Sequence, residues 1–205
     1  MSDILLLSMP FATVEKPLYN VSLLKTALAD NGLTADILYL NLEFAEQTGL
    51  KNYNLITLYG DSIIGEWIFA KKAFPDFSPS DDEFLRFAEI KYKRKKSLIY
   101  NFEIDSARQI LTRLREQASE FINYAAAKII NLNPQIIASG AMFQQMTPSI
   151  ELFKKIKEES QSIKTILGGS QCEGIMGLTA VKNFECIDYV ISGEAEVAFP
   201  ELCKI

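Results

Sequence analysis

Two stretches near the C-terminal end of this chain share one pattern: a short apolar run leads into a glycine-bearing loop and then into a helix. Residues 164–174 read KTILGGSQCEG, and residues 187–196 read IDYVISGEAE. Such apolar runs are typical of strands buried on both faces of a parallel sheet. Glycines after these strands allow a ligand to approach the backbone at the edge where open parallel sheets bind ligands. The repeated pattern therefore predicts the rim of a cofactor site.

The rest of the chain also alternates strand and helix. Apolar runs predict five strands, at residues 4–7, 34–40, 135–139, 162–167 and 187–192. Between them, amphipathic stripes predict helices at residues 18–31, 148–159 and 176–182, and a last helix from residue 196. This alternation predicts an α/β fold with a doubly wound, five-stranded parallel sheet of the Rossmann or flavodoxin-like type. We favour the strand order 2-1-3-4-5 because only five strands are visible.

The second and third predicted strands are too far apart for an ordinary connection. The intervening segment, at about residues 41–133, is rich in aromatic residues and includes a long amphipathic helix. Ser80 is a candidate N-cap for a helix, with Glu83 three residues later. We expect an ordered helical insertion within one domain spanning residues 1–205, in which Trp67 is a core residue.

Composition excludes several classes of function. Hydrophobic residues make up 48% of the chain and charged residues 23%, as in ordinary globular proteins. The net charge of −5 argues against a nucleic-acid-binding surface. No apolar run reaches the ~18 residues that cross a bilayer. We therefore expect a cytoplasmic protein that binds neither nucleic acid nor membrane.

The chain has no histidine and three cysteines. Without histidine it lacks the usual general base and the commonest transition-metal ligand. Cys172, Cys186 and Cys203 are spaced neither as a metal-binding pair nor as a disulfide framework. Cys172 also has no basic neighbour that would activate its thiol. We assign no catalytic residue and no metal ligand.

Several segments together resemble the N-terminal cobalamin-binding domain of cobalamin-dependent radical S-adenosylmethionine (SAM) enzymes. The likeness spans nearly the whole chain and is greatest to the branch that matures ribosomally synthesised peptides. It is carried by residues 7–11 (LSMPF), 39–42 (YLNL), 65–70 (GEWIFA), 167–174 (LGGSQCEG), 187–196 (IDYVISGEAE) and 199–202 (FPEL).

The resemblance implies that the carboxyl edge of the sheet binds cobalamin, with its nucleotide tail between the strands. It implies base-off cobalamin without a protein histidine ligand, as the composition requires. Family members continue into a radical domain whose Cys-x-x-x-Cys-x-x-Cys motif holds a [4Fe–4S] cluster that binds SAM. This chain lacks that motif, so we expect it to bind but not to catalyse. The whole enzyme would methylate an unactivated carbon of a precursor peptide.

For a cobalamin ligand, we expect a site built by the loops after strands one, three, four and five. The glycines would allow close approach, and Ser170 and Gln171 would donate or accept hydrogen bonds. Gly168 and Gly169 could instead close a tight turn, and Glu194 could simply favour a helix start. The candidate residues are Ser8, Met9, Gly140, Phe143, Gly168, Gly169, Ser170, Gln171, Ser192, Gly193 and Glu194.

Two other functions are compatible with the same sequence. The chain could be a cofactor-free interaction domain whose aromatic-rich insertion, with the basic run at residues 91–96, docks a precursor peptide or another protein. It could also be a flavodoxin-like domain with another cofactor, although it has neither the GxGxxG nor the GxxxxGK[ST] phosphate-binding motif. A visible corrinoid or flavin spectrum discriminates among these functions.

Overall fold

The computed structural model of the chain describes residues 3–57, 63–76, 80–95 and 104–204, with side chains left undescribed at 90–95 and 104–107. The described strands form one parallel sheet in the order β2-β1-β3-β4-β5, which confirms the predicted fold class and strand order. The strands are β1 (Ile4–Leu7), β2 (Ala35–Leu38), β3 (Ile136–Gly140), β4 (Lys164–Gly168) and β5 (Tyr189–Val190).

Four helices follow strands directly, and five more lie between β2 and β3 in the described chain. The first group is α1 (Tyr19–Asp30), α7 (Met146–Glu159), α8 (Ile175–Asn183) and α9 (Ala195–Leu202). The insertion is helical, as predicted, and it comprises α2 (Leu40–Thr48), α3 (Leu50–Thr57), α4 (Ile64–Ala73), α5 (Asp81–Lys95) and α6 (Ile104–Leu132).

Three predicted strands are longer than the observed ones, and β4, predicted at residues 162–167 and observed at Lys164–Gly168, differs least. We predicted β2 as far as Leu40, but that residue is fully buried as the first residue of α2. β5 has two residues instead of six, although Ile191 still donates a backbone hydrogen bond to Leu167 at 2.9 Å. An apolar run in the sequence does not show where the hydrogen bonding between strands ends, because the residues that follow the last paired residue remain buried.

The predicted helix boundaries correspond to identifiable caps. The chain leaves α1 through Gly32, whose φ of +76° is the left-handed conformation that glycine adopts without strain. The Ser80 hydroxyl accepts a 3.4 Å hydrogen bond from the backbone N–H of Glu83, as expected for the N-cap of α5. Along α6, the predicted apolar stripe is buried at Leu111, Leu114, Ala118, Phe121, Ala125 and Ile129.

Helices cover the two faces of the sheet unequally. Leu5 and Leu7 of β1 belong to a large cluster that includes buried side chains of α2 to α8. Ile4 and Leu6 point to the opposite face, where only α1 and α9 contribute helical side chains to the described cluster. The chain moves from β1 to β2 in one direction across the sheet and from β3 to β4 in the other. Because the crossovers of a parallel sheet are right-handed, these two connections place their helices on opposite faces.

The aromatic residues of the insertion form the centre of the larger cluster. Phe44 lies 4.8 Å from Phe121 and 5.7 Å from Phe11, measured between ring centroids. Trp67 is buried, as predicted, and it stacks on Phe84 at 4.9 Å. Two of the predicted aromatics and the side chains of the basic run lie outside the described residues, namely Tyr59, Phe77 and residues 91–96. Among the described helices, none is both long and apolar enough to cross a bilayer.

A buried ionic network ties the amino ends of β4 and β5 together. Asp188 Oδ2 accepts hydrogen bonds from Lys157 Nζ at 2.6 Å and from the Thr165 backbone N–H at 2.7 Å. Partial burial raises the pKa of Asp188, but the bonds from Lys157 and Thr165 outweigh burial and hold this pKa below its usual value. Lys157 is 8% exposed, so it depends on this carboxylate for its charge balance.

Replacing Asp188 with asparagine should therefore destabilise the fold. Asp188→Asn leaves the buried Lys157 ammonium without a counter-charge, and we expect a loss of about 2 kcal/mol in the free energy of unfolding at pH 7. The Asp188 carboxylate stabilises the folded state fully at a pH above the pKa that this group has in the unfolded chain. This stabilisation is lost as the pH falls through the lower pKa that the group has in the folded protein. Urea unfolding should thus show a difference at neutral pH that vanishes in acid. The control is Asp30→Asn, at an exposed site on α1; an equal loss in the control would contradict this role.

Candidate functional site

The carboxyl ends of the strands open onto a cleft between α1 and α9. This edge cleft has a volume of about 300 Å³. Side chains from the sheet form its apolar floor, whereas α1 and α9 form its walls through residues such as Tyr19 and Glu196. The floor residues are Leu6, Ala138, Ile166 and Ile191. The cleft lies on the face where, in the described chain, only α1 and α9 contribute helical side chains to the core, and it is open between the first turns of these two helices.

A second cavity adjoins the edge cleft beside the end of β1. Its volume is about 310 Å³, and it shares Asn20, Val21 and Gly140 with the edge cleft. We call it the loop cavity, since the loops after β1 and β3 line it through Ser8, Phe11, Ala12, Thr13, Met142 and Phe143. β1 and β3 are adjacent strands whose connections run in opposite directions, which is the switch point where doubly wound sheets bind ligands.

Glycines keep the rim of the edge cleft free of side chains. At Gly168, an added Cβ would meet no atom closer than 3.8 Å, so the absence of a side chain leaves open space. Gly169 has a φ of +96°, and its Cβ would lie 3.0 Å from the carbonyl oxygen of Ala141. Gly169 is therefore required by the backbone, whereas Gly168 widens the cleft.

The loops after β4 and β5 are fixed against each other by two reciprocal hydrogen bonds. The backbone N–H of Gly174 donates to Ser192 Oγ at 2.8 Å, and the backbone N–H of Gly193 donates to Glu173 Oε2 at 2.8 Å. Ser192 and Glu173 thus position the rim. Their side chains act on the opposite loop, a role that their sequence positions do not reveal.

Gln171 contains an unsatisfied acceptor. Its Oε1 atom is buried and has no hydrogen-bond partner in the described structure. A buried polar atom without a partner costs free energy, so this oxygen can accept a hydrogen bond from a water molecule or from a ligand at the rim. Its neighbour Ser170 is exposed and contacts the Met142 sulfur at 3.6 Å.

The structure brings most of the predicted site residues together. The edge cleft and the loop cavity are lined by seven of them: Ser8, Gly140, Phe143, Gly168, Gly169, Gly193 and Glu194. Ser170, Gln171 and Ser192 lie in the neighbouring loops without lining either cavity. Met9 differs, because its side chain is 1% exposed and packs in the core. Only the Met9 backbone faces the loops, with its carbonyl accepting a 3.0 Å hydrogen bond from Gln145 Nε2.

Residues outside the predicted set hold the rim in place. Asn41 accepts a 2.7 Å hydrogen bond from Ser8 Oγ and donates to the Thr13 carbonyl at 3.2 Å. The Tyr53 hydroxyl donates to the Ala12 carbonyl at 2.7 Å, and burial raises the pKa of Tyr53. The loop after β1 is therefore shaped by α2 and α3 of the insertion. Sequence reasoning missed these contacts because they join residues 28 to 41 positions apart.

The insertion is also joined to the loop after β3. Gln144 accepts a 2.7 Å hydrogen bond from the Gly65 backbone N–H and donates to the Ile56 carbonyl at 3.2 Å. A Cβ on Gly65 would lie 2.6 Å from the Phe11 ring, so only glycine fits there. The carboxylate of Glu66 accepts hydrogen bonds from the backbone N–H groups of Met146 and Thr147 at the start of α7. The Gly-Glu-Trp segment is thus the junction between insertion and rim.

The cysteines do not form a reactive site. Cys172 is fully buried, and burial raises the pKa of its thiol to about 11. A thiol with such a pKa is protonated at neutral pH and is a poor nucleophile. The described residues also contain no group of three His, Cys, Asp or Glu side chains that could hold a metal ion.

Comparison of the chain with models of protein families, with curated proteins and with solved structures finds no match in any of the three. The edge cleft, the loop cavity and the glycine rim are therefore the basis for assigning a function.

Removing the Glu66 carboxylate should loosen the start of α7. Glu66→Ala removes the acceptor for two helix N-terminal N–H groups, and we expect a loss of about 1–2 kcal/mol in the free energy of unfolding. Hydrogen exchange at the amides of Met146 and Thr147 should accelerate at the same time. The matched control is Glu46→Ala, at an exposed site on α2. Unchanged exchange at these two amides would show that Glu66 does not cap α7.

Proposed function

We propose that this chain is the cobalamin-binding module of a radical SAM enzyme. The observation that carries the proposal is the pair of adjoining cavities under a glycine rim, at the switch point of a five-stranded parallel sheet. A large ligand with a flat macrocycle and a long tail is suited by such a combination of an open edge and an apolar cleft. Seven residues expected from the sequence line these cavities.

The shape of the edge cleft fits the tail of such a ligand. Its floor is apolar and its entrance is lined by Gly140, Gly168 and Gly193, which expose the backbone to a ligand. The first turns of α1 and α9 form the two walls of this slot above the sheet. We assign the nucleotide tail of cobalamin to the edge cleft.

The rim offers both polar and apolar contacts to a corrin ring. The unpartnered Gln171 Oε1 could accept an N–H from an amide side chain of the corrin periphery. Phe143 is 73% exposed and Met142 43% exposed, and both line the loop cavity. Exposed apolar side chains beside an open cavity favour a flat, partly apolar ligand face. We assign these residues to the corrin ring.

The chain has no histidine to coordinate cobalt, so we propose that it binds base-off cobalamin. The cofactor would supply the methyl group in the reaction. The protein would shape the cavity, exclude water and hold the ring at the edge of the sheet.

We further propose that this module works beside a radical domain holding a [4Fe–4S] cluster and SAM, with a precursor peptide as substrate. Cys172, Cys186 and Cys203 do not have the Cys-x-x-x-Cys-x-x-Cys spacing, so the proposal assigns the cluster to the radical domain. The module alone is expected to bind without catalysing. The methyl transfer to peptide carbon would belong to the whole enzyme.

An interaction domain without cofactor is the second candidate. It is favoured by large apolar side chains exposed near the rim, such as Tyr19 at 77%, Ile175 at 73% and Val197 at 78%. If these side chains together form one contiguous apolar patch, that patch is the kind of surface that contacts another protein. A flavodoxin-like domain with bound flavin is the third candidate, and a yellow chromophore would identify it.

The cobalamin proposal is tested by titrating the purified chain with hydroxocobalamin, followed by desalting and a visible spectrum. We expect retained corrinoid with a base-off spectrum. Gly168→Val places a branched side chain at the cleft, where a Cβ is free of close contacts. We expect it to weaken binding about tenfold or more by occupying the slot, with little effect on folding.

The matched control is Lys164→Val, which introduces the same side chain at the exposed opposite end of β4. It should bind hydroxocobalamin as the native chain does. If Gly168→Val bound hydroxocobalamin as tightly as the native chain does, the edge cleft would not be the binding site of the nucleotide tail. Loss of all corrinoid from the native chain, and from a chain extended through a radical domain, would contradict the proposed function.

A further inference from the structure

A third cavity lies within the helical layer, between α4, α6 and α7. Its volume is about 210 Å³, and it shares no lining residue with the edge cleft or the loop cavity. We call it the helical cleft. It is lined by Lys72 of α4, by Ser119 and Asn123 of α6, and by Glu151, Lys154, Lys155 and Glu158 of α7.

The lining follows from helical spacing. On α7, the lining residues recur at intervals of three and four and so form one stripe. Ser119 and Asn123 of α6 are also four residues apart. Packed apolar residues occupy the other faces of both helices, including Phe121 and Phe153. The cleft is therefore a polar interruption in an otherwise apolar contact between packed helices.

Glu151 is the most unusual residue of the cleft. It is 6% exposed, and its Oε2 atom is buried without a hydrogen-bond partner in the described structure. Burial raises the pKa of Glu151 to about 8, although Lys72 and Lys154 act in the opposite direction. At neutral pH this side chain is therefore mostly a protonated carboxyl group that can donate an O–H.

The lysines differ in how their ammonium groups are used. Lys155 pairs with Glu158 at 3.1 Å and with Glu159 at 3.4 Å. Lys154 donates to the carbonyl of Ala73 at the end of α4. Lys72 is exposed and makes no ion pair within 4.0 Å with any residue of the described chain. Lys72 is therefore available to a ligand.

We propose that the helical cleft binds a small tetrahedral oxyanion, either free phosphate or the phosphate group of a monoester. Lysine ammonium groups, the Ser119 hydroxyl and the Asn123 amide can all donate hydrogen bonds to oxyanion oxygens. The three lysines of the cleft are balanced in part by Glu158 and by Glu159, which both pair with Lys155, so one positive charge is in excess while Glu151 is protonated. The buried, unpartnered oxygen of Glu151 gains a partner when the protonated carboxyl group donates an O–H hydrogen bond to the anion.

This site carries a defined pH dependence. The charged groups around Glu151 are Lys72 from α4 and Lys154, Lys155 and Glu158 from α7, while α6 contributes the neutral Ser119 and Asn123. A bound anion favours the protonated form of Glu151, so the cleft has its highest affinity for the anion at a pH below the pKa of that carboxyl group. The affinity falls as the pH rises above that value and the carboxylate repels the ligand.

Sulfate is the best first probe, because its charge stays constant over the pH range in which Glu151 titrates. Isothermal titration calorimetry on the full chain at about pH 7 should show saturable sulfate binding, and Lys72→Ala should weaken it about tenfold through loss of a charge-assisted hydrogen bond. Lys71→Ala is the matched control, since Lys71 is exposed on α4 but does not line the cleft. It should bind sulfate as the native chain does.

The role of Glu151 is tested by the conservative Glu151→Gln. The native chain should bind sulfate about tenfold more weakly at about pH 9.5 than at about pH 7. Glu151→Gln keeps a hydrogen-bond donor without the ionisation, so it should retain binding and lose this pH dependence. Any pH effect that arises elsewhere in the cleft would remain in Glu151→Gln, so the comparison of this variant with the native chain isolates the contribution of the Glu151 carboxyl group.

Parallel titrations with inorganic phosphate and glycerol phosphate at pH 7 identify the source of the anion. Preference for the monoester supports a phosphorylated metabolite, whereas preference for the inorganic ion supports free phosphate. Absence of saturable binding of any of the three anions would overturn the proposal. So would equal weakening by Lys72→Ala and Lys71→Ala, which would indicate diffuse attraction and no site. Failure of this test leaves the cobalamin proposal unaffected, because the two sites share no residue.

Discussion

A parallel sheet exposes no face to solvent, so both faces of its strands must be covered by helices. In this chain the cover is unequal. Helices α2 to α8 contribute to the cluster on one face, whereas only α1 and α9 contribute helical side chains to the described cluster on the other. The edge cleft is the space that two helices leave above the strand ends. The location of the candidate site thus follows from how the helices are divided between the faces.

The insertion contributes to the site without lining the edge cleft. It supplies Asn41 and Tyr53, which fix the loop after β1, and Gly65 and Glu66, which fix the loop after β3. Backbone groups in irregular loops need such partners when they are buried. A loop held by buried hydrogen bonds is also preorganised for a ligand, which lowers the entropic cost of binding. The helical layer is therefore a scaffold for the rim.

The sequence was informative where the chemistry is local. Apolar runs predicted the strands, the number of strands favoured their order, and glycine positions predicted most of the rim, because hydrophobicity and backbone freedom are properties of the residue itself. The side-chain direction of Met9 could not be predicted, since a loop residue next to a strand can point either way. The capping role of Glu66 and the isolation of Glu151 depend on residues that are distant in sequence but adjacent in space. Such contacts become visible only in the fold.

The central claim is that the loops after β1, β3, β4 and β5 form one ligand site. Hydrogen–deuterium exchange of the full chain, with and without hydroxocobalamin, tests it most directly. Ligand binding should slow exchange together in residues 8–13, 140–145, 168–174 and 192–197. It should leave the largely exposed segment at the end of α7, residues 158–162, unchanged. Unchanged exchange in these four loops, or protection confined to the insertion helices, would contradict the claim.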